Sequence, residues 1–546
     1  MNLTEKKSGL SYTGVTFLLA LFFVAIVNLP VYSALNDIFS KLDGVKLGFV
    51  ISIPIFFLAA FNFLFNIFSW PWITKPFFIV LILMSAAVSY AGFNYGTLFD
   101  ADMIANFVET DSGEATAYVS TYSTAWIIGM GVIPGLILFF APIKPAKSFV
   151  SLILRKLGSM LVSLAVIGVV ASLYYQDYAS VGRNNTYLRQ LIIPTQLVYS
   201  IGKYVKRTYL TKPMVYQELG LDAQQKPHAL ASADEKPTLM VFVLGETGRA
   251  QNFELNGYDR PTNQYTRDLD VISFQDVDSC GTATAVSVPC MFSALTKDNF
   301  ERKVADHQDN FLDIMKRAQV DLFWLENDGG DKDVAKNIRK IEIDRKRKDD
   351  VCNGSTCYDM ALLENFEDNV TSMQGNRMLV MHLIGSHGPT YFQRYPREMA
   401  KFQPDCPRAD IENCSVEQIV NTYDNTVLYT DYVLAQTIEK LKDLESEYNT
   451  ALFYISDHGE SLGEDGLFLH GMPYALAPDY QTKVQTMVWT SPGFEQQKSL
   501  NKKCLKNAAN KENYSHDNVF HSMLGIMDVS TDVYQPDMDL FATCRS

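Results

Sequence analysis

No cysteine occurs before Cys280 in this chain of 546 residues, and the eight that follow contain no Cys-x-x-Cys pair. The second absence excludes a zinc ribbon; the first confines any disulfide framework to the C-terminal part of the chain. Charge is equally uneven. Residues 1–180 hold nine basic and nine acidic residues, so the whole net charge of −14 lies beyond them. An acidic remainder disfavours nucleic acid as a partner. The segment 96–121 lacks Lys and Arg, and the segment 181–210 lacks Asp and Glu. No internal repeat or low-complexity tract is present.

The charge-poor front end is filled by five apolar runs, at 13–30, 48–69, 77–93, 123–142 and 157–173. Most approach the ~20 residues that cross a bilayer, and they are too many and too poor in charge for core helices. The first run passes straight into the multi-span pattern without a small-residue cleavage site, so no cleaved leader is expected. With the N-terminus inside, Lys6, Lys7, Lys75, Lys144, Lys147, Arg155 and Lys156 face the cytoplasm, against Lys41, Lys46, Arg183 and Arg189 outside. Five spans then place the rest of the chain outside, where disulfides form. The loop 96–121, with Asp100, Asp102, Glu109, Asp111 and Glu114, lies on the same side.

These boundaries predict an α-helical transmembrane domain of five spans over 1–180 and a membrane-surface helical linker over 181–216. The linker carries Arg183, Arg189, Lys203, Lys206 and Arg207 among apolar residues. A soluble α/β domain over 217–546 follows. Its eight cysteines pair by proximity as Cys280 with Cys290, Cys352 with Cys357 and Cys406 with Cys414, which leaves Cys504 with Cys544. Four short apolar runs, 238–244, 320–325, 377–384 and 451–455, read as buried strands of a mainly parallel sheet. Each ends in unusual polar residues: Gly245-Glu246-Thr247, then Glu326-Asn327-Asp328 with Lys332, then Gly385-Ser386-His387, then Asp457-His458-Gly459-Glu460. Ligands of open α/β sheets bind beyond the carboxyl ends of the strands, so the four loops converge.

Asp457-His458 can turn a carboxylate and an imidazole toward one cation, and Glu246 adds a further oxygen, a set suited to Zn2+. Taken alone, an N-capping Asp beside a surface His fits these two residues as well. The segment "SCGTATAVSVPC", from Ser279 to Cys290, offers four hydroxyls but no base. It is a disulfide-closed surface loop, or it holds a nucleophile whose activating partner is a metal.

The stretches "VLGETGRAQNFELNGYDRPTN", "SCGTATAVSVPCMFS", "GSHGPTY" and "SDHGESLGEDGLFLHG", behind a five-span front end, decide between these readings. In that order they resemble the membrane-bound phosphoethanolamine transferases that modify lipid A. That family includes the mobile colistin-resistance enzymes and lies within the alkaline phosphatase and sulfatase superfamily; the resemblance covers essentially the whole chain. It implies an alkaline-phosphatase/sulfatase-like fold in which Thr284 is the nucleophile, and Glu246, Thr284, Asp457 and His458 hold one zinc ion. It further implies that His387, His470 and Lys332 meet the substrate phosphate or a second metal. Asn106, Thr110 and Glu114 match a membrane-proximal patch that meets the ethanolamine of the donor. The implied enzyme is a monomer of the bacterial inner membrane, with its N-terminus cytoplasmic and its catalytic domain periplasmic. It moves phosphoethanolamine from phosphatidylethanolamine to a lipid A phosphate through a covalent threonine intermediate, which protects against polymyxin and colistin.

Three rivals fit less well. A sulfatase needs Pro two residues and Arg four residues after its modified Cys or Ser, whereas Cys290 is followed by Met291, Phe292, Ser293 and Ala294. A phosphoglycerol transferase shares the spans and the threonine, but dense disulfides suit an oxidising periplasm better. A non-enzymatic metal sensor leaves an intact Thr284 without a purpose. The topology is open to a direct check: a reporter fused after Ser546 is expected to be active only outside the cytoplasm, and activity of a cytoplasm-only reporter there overturns the orientation.

Overall fold

The computed structural model describes residues 9–41, 44–110, 112–211, 214–227 and 236–545. They form two compact units, one of residues 1–101 with 120–203 and one of residues 102–119 with 204–546.

The first unit is helical. Four helices are long and apolar enough to cross a membrane: Leu47–Phe68, Thr74–Asn94, Thr121–Phe140 and Phe149–Asn184. A fifth crossing is made if the bent pair Tyr12–Val27 and Leu29–Ser40 counts as one span. The predicted single span 13–30 is thus broken, with a bend of 53°. The cause is local. Pro30 stands at the start of the second helix, where it has no N–H for the preceding turn. Asn28 fills the break: its buried amide donates to the carbonyls of Phe23 (3.0 Å) and Ile193 (2.6 Å) and accepts from Ile193 N (2.9 Å). The last long helix, Phe149–Asn184, is kinked at Tyr174, whose backbone is not helical, one residue beyond the predicted end of the apolar run at 173. A short 3-10 turn, Thr186–Leu191, and a helix, Thr195–Tyr209, follow it.

The second unit is built on a seven-stranded sheet: β1 Thr238–Gly245, β2 Ile272–Phe274, β3 Asp321–Glu326, β4 Arg339–Glu342, β5 Arg377–His382, β6 Asn449–Ser456 and β7 Thr486–Thr490. The spatial order is β2-β7-β6-β1-β5-β3-β4, with β7 antiparallel to both its neighbours and every other pairing parallel. The four predicted strands are the four central ones, β6-β1-β5-β3. All eight residues of β1 are buried, as a strand covered on both faces requires.

The short helix α1, Thr284–Phe292, is anchored from below. Phe292 stacks on Phe311 with ring centroids 4.6 Å apart and meets Phe242 of β1 edge-on at 5.6 Å. Val288, Met291 and Phe292 are completely buried. Pro289 inside this helix cannot donate to the carbonyl four residues back, that of Ala285. Arg302 takes the missing donor's place, with Nη1 2.5 Å from Ala285 O. The same guanidinium pairs with Asp306 (2.7 Å) and with Glu109 (3.2 Å) of the helix Ala101–Glu109.

All eight cysteines are paired, as Cys280–Cys290, Cys352–Cys357, Cys406–Cys414 and Cys504–Cys544. Cys504–Cys544 closes the longest loop, with a separation of 40 residues against 5 for Cys352–Cys357. On chain-entropy grounds, replacing the first pair by serine is expected to cost about 4 kcal/mol and the second about 2 kcal/mol. Urea unfolding of the two variants checks the order, and equal losses contradict it.

Candidate active site

The carboxyl ends of adjacent strands bring the predicted residues together. Glu246 follows β1, Asp457 and His458 follow β6, and Thr284 is the first residue of α1. Thr284 Oγ1 lies 3.3 Å from Glu246 Oε2 and 3.4 Å from His458 Nε2. His458 Nε2 is in turn 3.4 Å from Glu246 Oε1 and 3.2 Å from Asp457 Oδ2. The side chains of Glu246, Asp457 and His458 are wholly inaccessible to solvent.

Backbone groups aim each ligand. His458 Nδ1 donates to Gly459 O at 2.9 Å, which fixes the tautomer and leaves the Nε2 lone pair facing Thr284. Asp457 Oδ1 accepts from the backbone N–H groups of Thr247 (3.0 Å) and His458 (2.7 Å). Its Oδ2 is buried with no donor. Thr247 holds a left-handed backbone, φ 59°, and its hydroxyl donates to Glu246 Oε1 at 2.6 Å. Such strain in a non-glycine residue persists where the surroundings over-determine it, as at binding sites.

The electrostatics describe a site short of positive charge. Burial, then repulsion from Asp457 and Asp328, pushes the Glu246 carboxyl well above the usual range. Burial raises Asp457 to about 6 and lowers His458 to about 4, so the imidazole is neutral at pH 7. Two carboxylates, a neutral imidazole and a hydroxyl around one point, with one carboxylate oxygen lacking any donor, fit a divalent zinc-like cation. Glu246, Asp457 and His458 offer ligand atoms all within 4.8 Å of one another.

His470 and His387 continue the site. The His458 and His470 rings have centroids 4.2 Å apart, and those of His387 and His470 5.7 Å. His470 Nδ1 lies 3.4 Å from Glu460 Oε2. Burial lifts the Glu460 carboxyl to about 8, so it is protonated at neutral pH. Lys332 follows β3 on a left-handed backbone, φ 48°, and its carbonyl accepts from Arg302 Nη2 at 3.4 Å. Asn106 and Thr110 lie at the helix Ala101–Glu109, where Thr110 Oγ1 donates to Asn106 O at 2.8 Å. Glu114 falls on the helix Ser112–Ala117, and its side chain lies outside the described structure. That helix supplies one wall of a cavity of about 330 Å3, through Gly113 and Thr116, opposite Asp328, Arg345, His387 and Arg394.

Sequence reasoning passed over three groups that the fold brings in. His516 accepts from Cys280 N (3.1 Å) and donates to Ser456 O (2.9 Å), joining the nucleophile loop to the end of β6. It lies 236 residues from Cys280, and no local pattern marks it. Arg302 has no motif either. Glu460, within "SDHGES", was named among the polar residues at its strand end but was given no role.

A mainly parallel sheet with a threonine at a helix N-terminus and acid and histidine side chains at its strand ends, in one chain with a unit of membrane-spanning helices, defines a membrane-bound member of the sulfatase-fold enzymes. Residues 238–529 match the Sulfatase family, and residues 57–209 match the family described as Phosphoethanolamine transferase EptA/EptB. Phosphoethanolamine transferase EptA of Escherichia coli K12 is 38% identical over 496 residues, covering 91% of this chain and 90% of the relative. Phosphatidylethanolamine transferase Mcr-1 of Escherichia coli is 34% identical over 526 residues, 94% of each chain. The integral membrane lipooligosaccharide phosphoethanolamine transferase A of Neisseria meningitidis superposes with a TM-score of 0.93 at 34% identity, covering 98% of this chain and 100% of that one. The chain belongs to the EptA-type phosphoethanolamine transferase family.

The buried carboxylates carry a stability consequence. A folded pKa raised above the ordinary value means that stability is fully present below that value and is lost as pH rises through the folded one. For Asp457 the window runs from 3.8 to about 6. In chelator-stripped protein Asp457→Asn is therefore expected to be more stable than wild type above pH ~6, by about 1–3 kcal/mol, and the gap closes toward pH ~4. Thermal melts with and without added zinc check this. A variant less stable than the stripped wild type at pH 7 contradicts it.

Proposed function

We propose that the protein transfers phosphoethanolamine from phosphatidylethanolamine to a phosphate of lipid A, with Thr284 as the covalent carrier. The observation that carries the reading is the placement of Thr284 Oγ1, within 3.4 Å of both Glu246 and His458 at the N-terminus of α1. The names of the relatives, phosphoethanolamine and phosphatidylethanolamine transferases, and that of the lipooligosaccharide enzyme, support the donor group and the acceptor class.

In the first half-reaction Thr284 Oγ1 attacks the donor phosphorus, the bond from phosphorus to the glycerol oxygen breaks, and diacylglycerol leaves. The Thr284 proton has an acceptor in Glu246 Oε2. Helix N–H groups around residues 284–286 face the anionic phosphate, and the dipole of α1 favours its charge. His387, His470 and Lys332 hold the non-bridging oxygens, and His470, backed by protonated Glu460, returns a proton to the leaving alkoxide. In the second half-reaction a lipid A phosphate oxygen attacks the phosphothreonine and Thr284 leaves with its proton restored. A zinc ion held by Glu246, Thr284, Asp457 and His458 supplies, when bound, a Lewis acid that acidifies the hydroxyl and offsets phosphate charge. Asn106, Thr110 and Glu114 receive the donor's ethanolamine.

Both substrates are lipids, which accounts for a membrane unit over 1–180, a surface linker over 181–216 and a periplasmic domain over 217–546 in one inner-membrane chain. The modified lipid A carries less negative charge and binds polymyxin and colistin less well.

The test is covalent. Thr284→Ala is expected to lose phosphoethanolamine from the peptide spanning Cys280 to Cys290, together with several orders of magnitude of turnover. Thr284→Ser retains measurable activity, and Thr282→Ala matters far less. A labelled peptide in Thr284→Ala, read by mass spectrometry, moves the nucleophile to Thr282 or Ser287.

A further inference from the structure

Glu246 has neighbours on both sides. In the order β6-β1-β5-β3, the Thr284 centre lies toward β6, while His382, the last residue of β5, and Asp328, just beyond β3, lie on the other side. The register pairs His382 with Leu244 of β1 and with Glu326 of β3, so these strand ends are level. Glu246, Asp328 and His382 present ligand atoms all within 4.8 Å of one another. His382 is wholly buried, and Asp328 is nearly so.

His382 is oriented as a ligand. Its Nδ1 is hydrogen-bonded to Glu326 Oε2 at 2.9 Å, the carboxylate–histidine arrangement that fixes the ring of metal-bound histidines. Glu326 is itself held by Trp324 Nε1 (2.8 Å) and by the backbone N–H groups of Asp328 (2.7 Å) and Gly329 (3.0 Å). One carboxylate thus sets both the imidazole ring and the turn that carries Asp328. The other ring nitrogen, Nε2, has no hydrogen-bond partner and faces Asp328 Oδ2 at 3.7 Å. Asp328 also lines the cavity of about 330 Å3, which gives an ion a route in.

We infer that Asp328 and His382, with Glu246 shared, form a second divalent-cation site on the far side of Glu246 from Thr284. Two oxygens and one imidazole nitrogen suit Zn2+ or Mn2+ better than Mg2+. The site uses neither His387 nor His470. It makes Glu246 a carboxylate between two cations, as in two-metal phosphoryl-transfer centres, and answers the repulsion among Glu246, Asp457 and Asp328.

The test counts metal, so it reads independently of whether the transferase reading holds. Full-length protein in detergent is stripped with chelator, dialysed against buffered Zn2+ or Mn2+, and its metal measured per chain by mass spectrometry, with a thermal melt to confirm folding. Wild type is expected to bind two ions. Asp328→Asn, which keeps shape and volume, and His382→Gln are expected to bind one, while His387→Gln and His470→Gln keep two. A wild type that saturates at one ion overturns the inference. So does a second ion that survives Asp328→Asn and is lost in His387→Gln or His470→Gln. If His382→Gln fails to fold, the wild-type count and Asp328→Asn decide.

Discussion

The Glu246 carboxylate is wholly buried, and most of the catalytic edge follows from it. Taking a carboxylate out of water costs several kcal/mol unless charge and hydrogen bonds offset it. Its neighbours Asp457 and Asp328 deepen the deficit rather than relieve it. The protein answers with geometry: a strained Thr247 that donates to one oxygen, a neutral imidazole held by a carbonyl, and a threonine hydroxyl against the other oxygen. What these groups cannot supply is positive charge. A cation bound here would stabilise the folded state, which would link binding to folding at this edge.

The parts of the fold legible in the sequence were those whose environment is uniform. The four central strands are buried on both faces, so they read as unbroken apolar runs with polar residues at one end. The exposed edge strand β4, Arg-Lys-Ile-Glu, lacks that signature, and β2, at the other edge, has only three residues; β7, though buried, is five residues long with a threonine at each end. The bend before Pro30 was hidden because apolar residues continue through it, and the Asn28 that fills the break is bonded to a residue 165 positions away. In the site, Glu246, Asp457, His458 and His387 stand in glycine-flanked strand ends and could be found. His516 and Arg302 act over distances that no local pattern encodes. Glu326 was marked as a strand-end polar residue but given no role, and His382 was hidden because it lies inside the predicted apolar run 377–384.

Arg302 links three pieces of chain that are far apart in sequence. Pro289 frees a carbonyl in the nucleophile helix, Arg302 satisfies it, and the same guanidinium holds Glu109. The segment 102–119 therefore belongs with the catalytic unit, although it lies between two membrane helices in the chain. A soluble fragment that begins near residue 217 keeps the sheet and the ligands but loses Glu109, Gly113 and Thr116. Compounds selected against that fragment meet a pocket with one wall removed and an Arg302 that has lost one of its two carboxylate partners. An inhibitor campaign built on the excised domain would thus be rewarded for contacts that the intact enzyme does not offer.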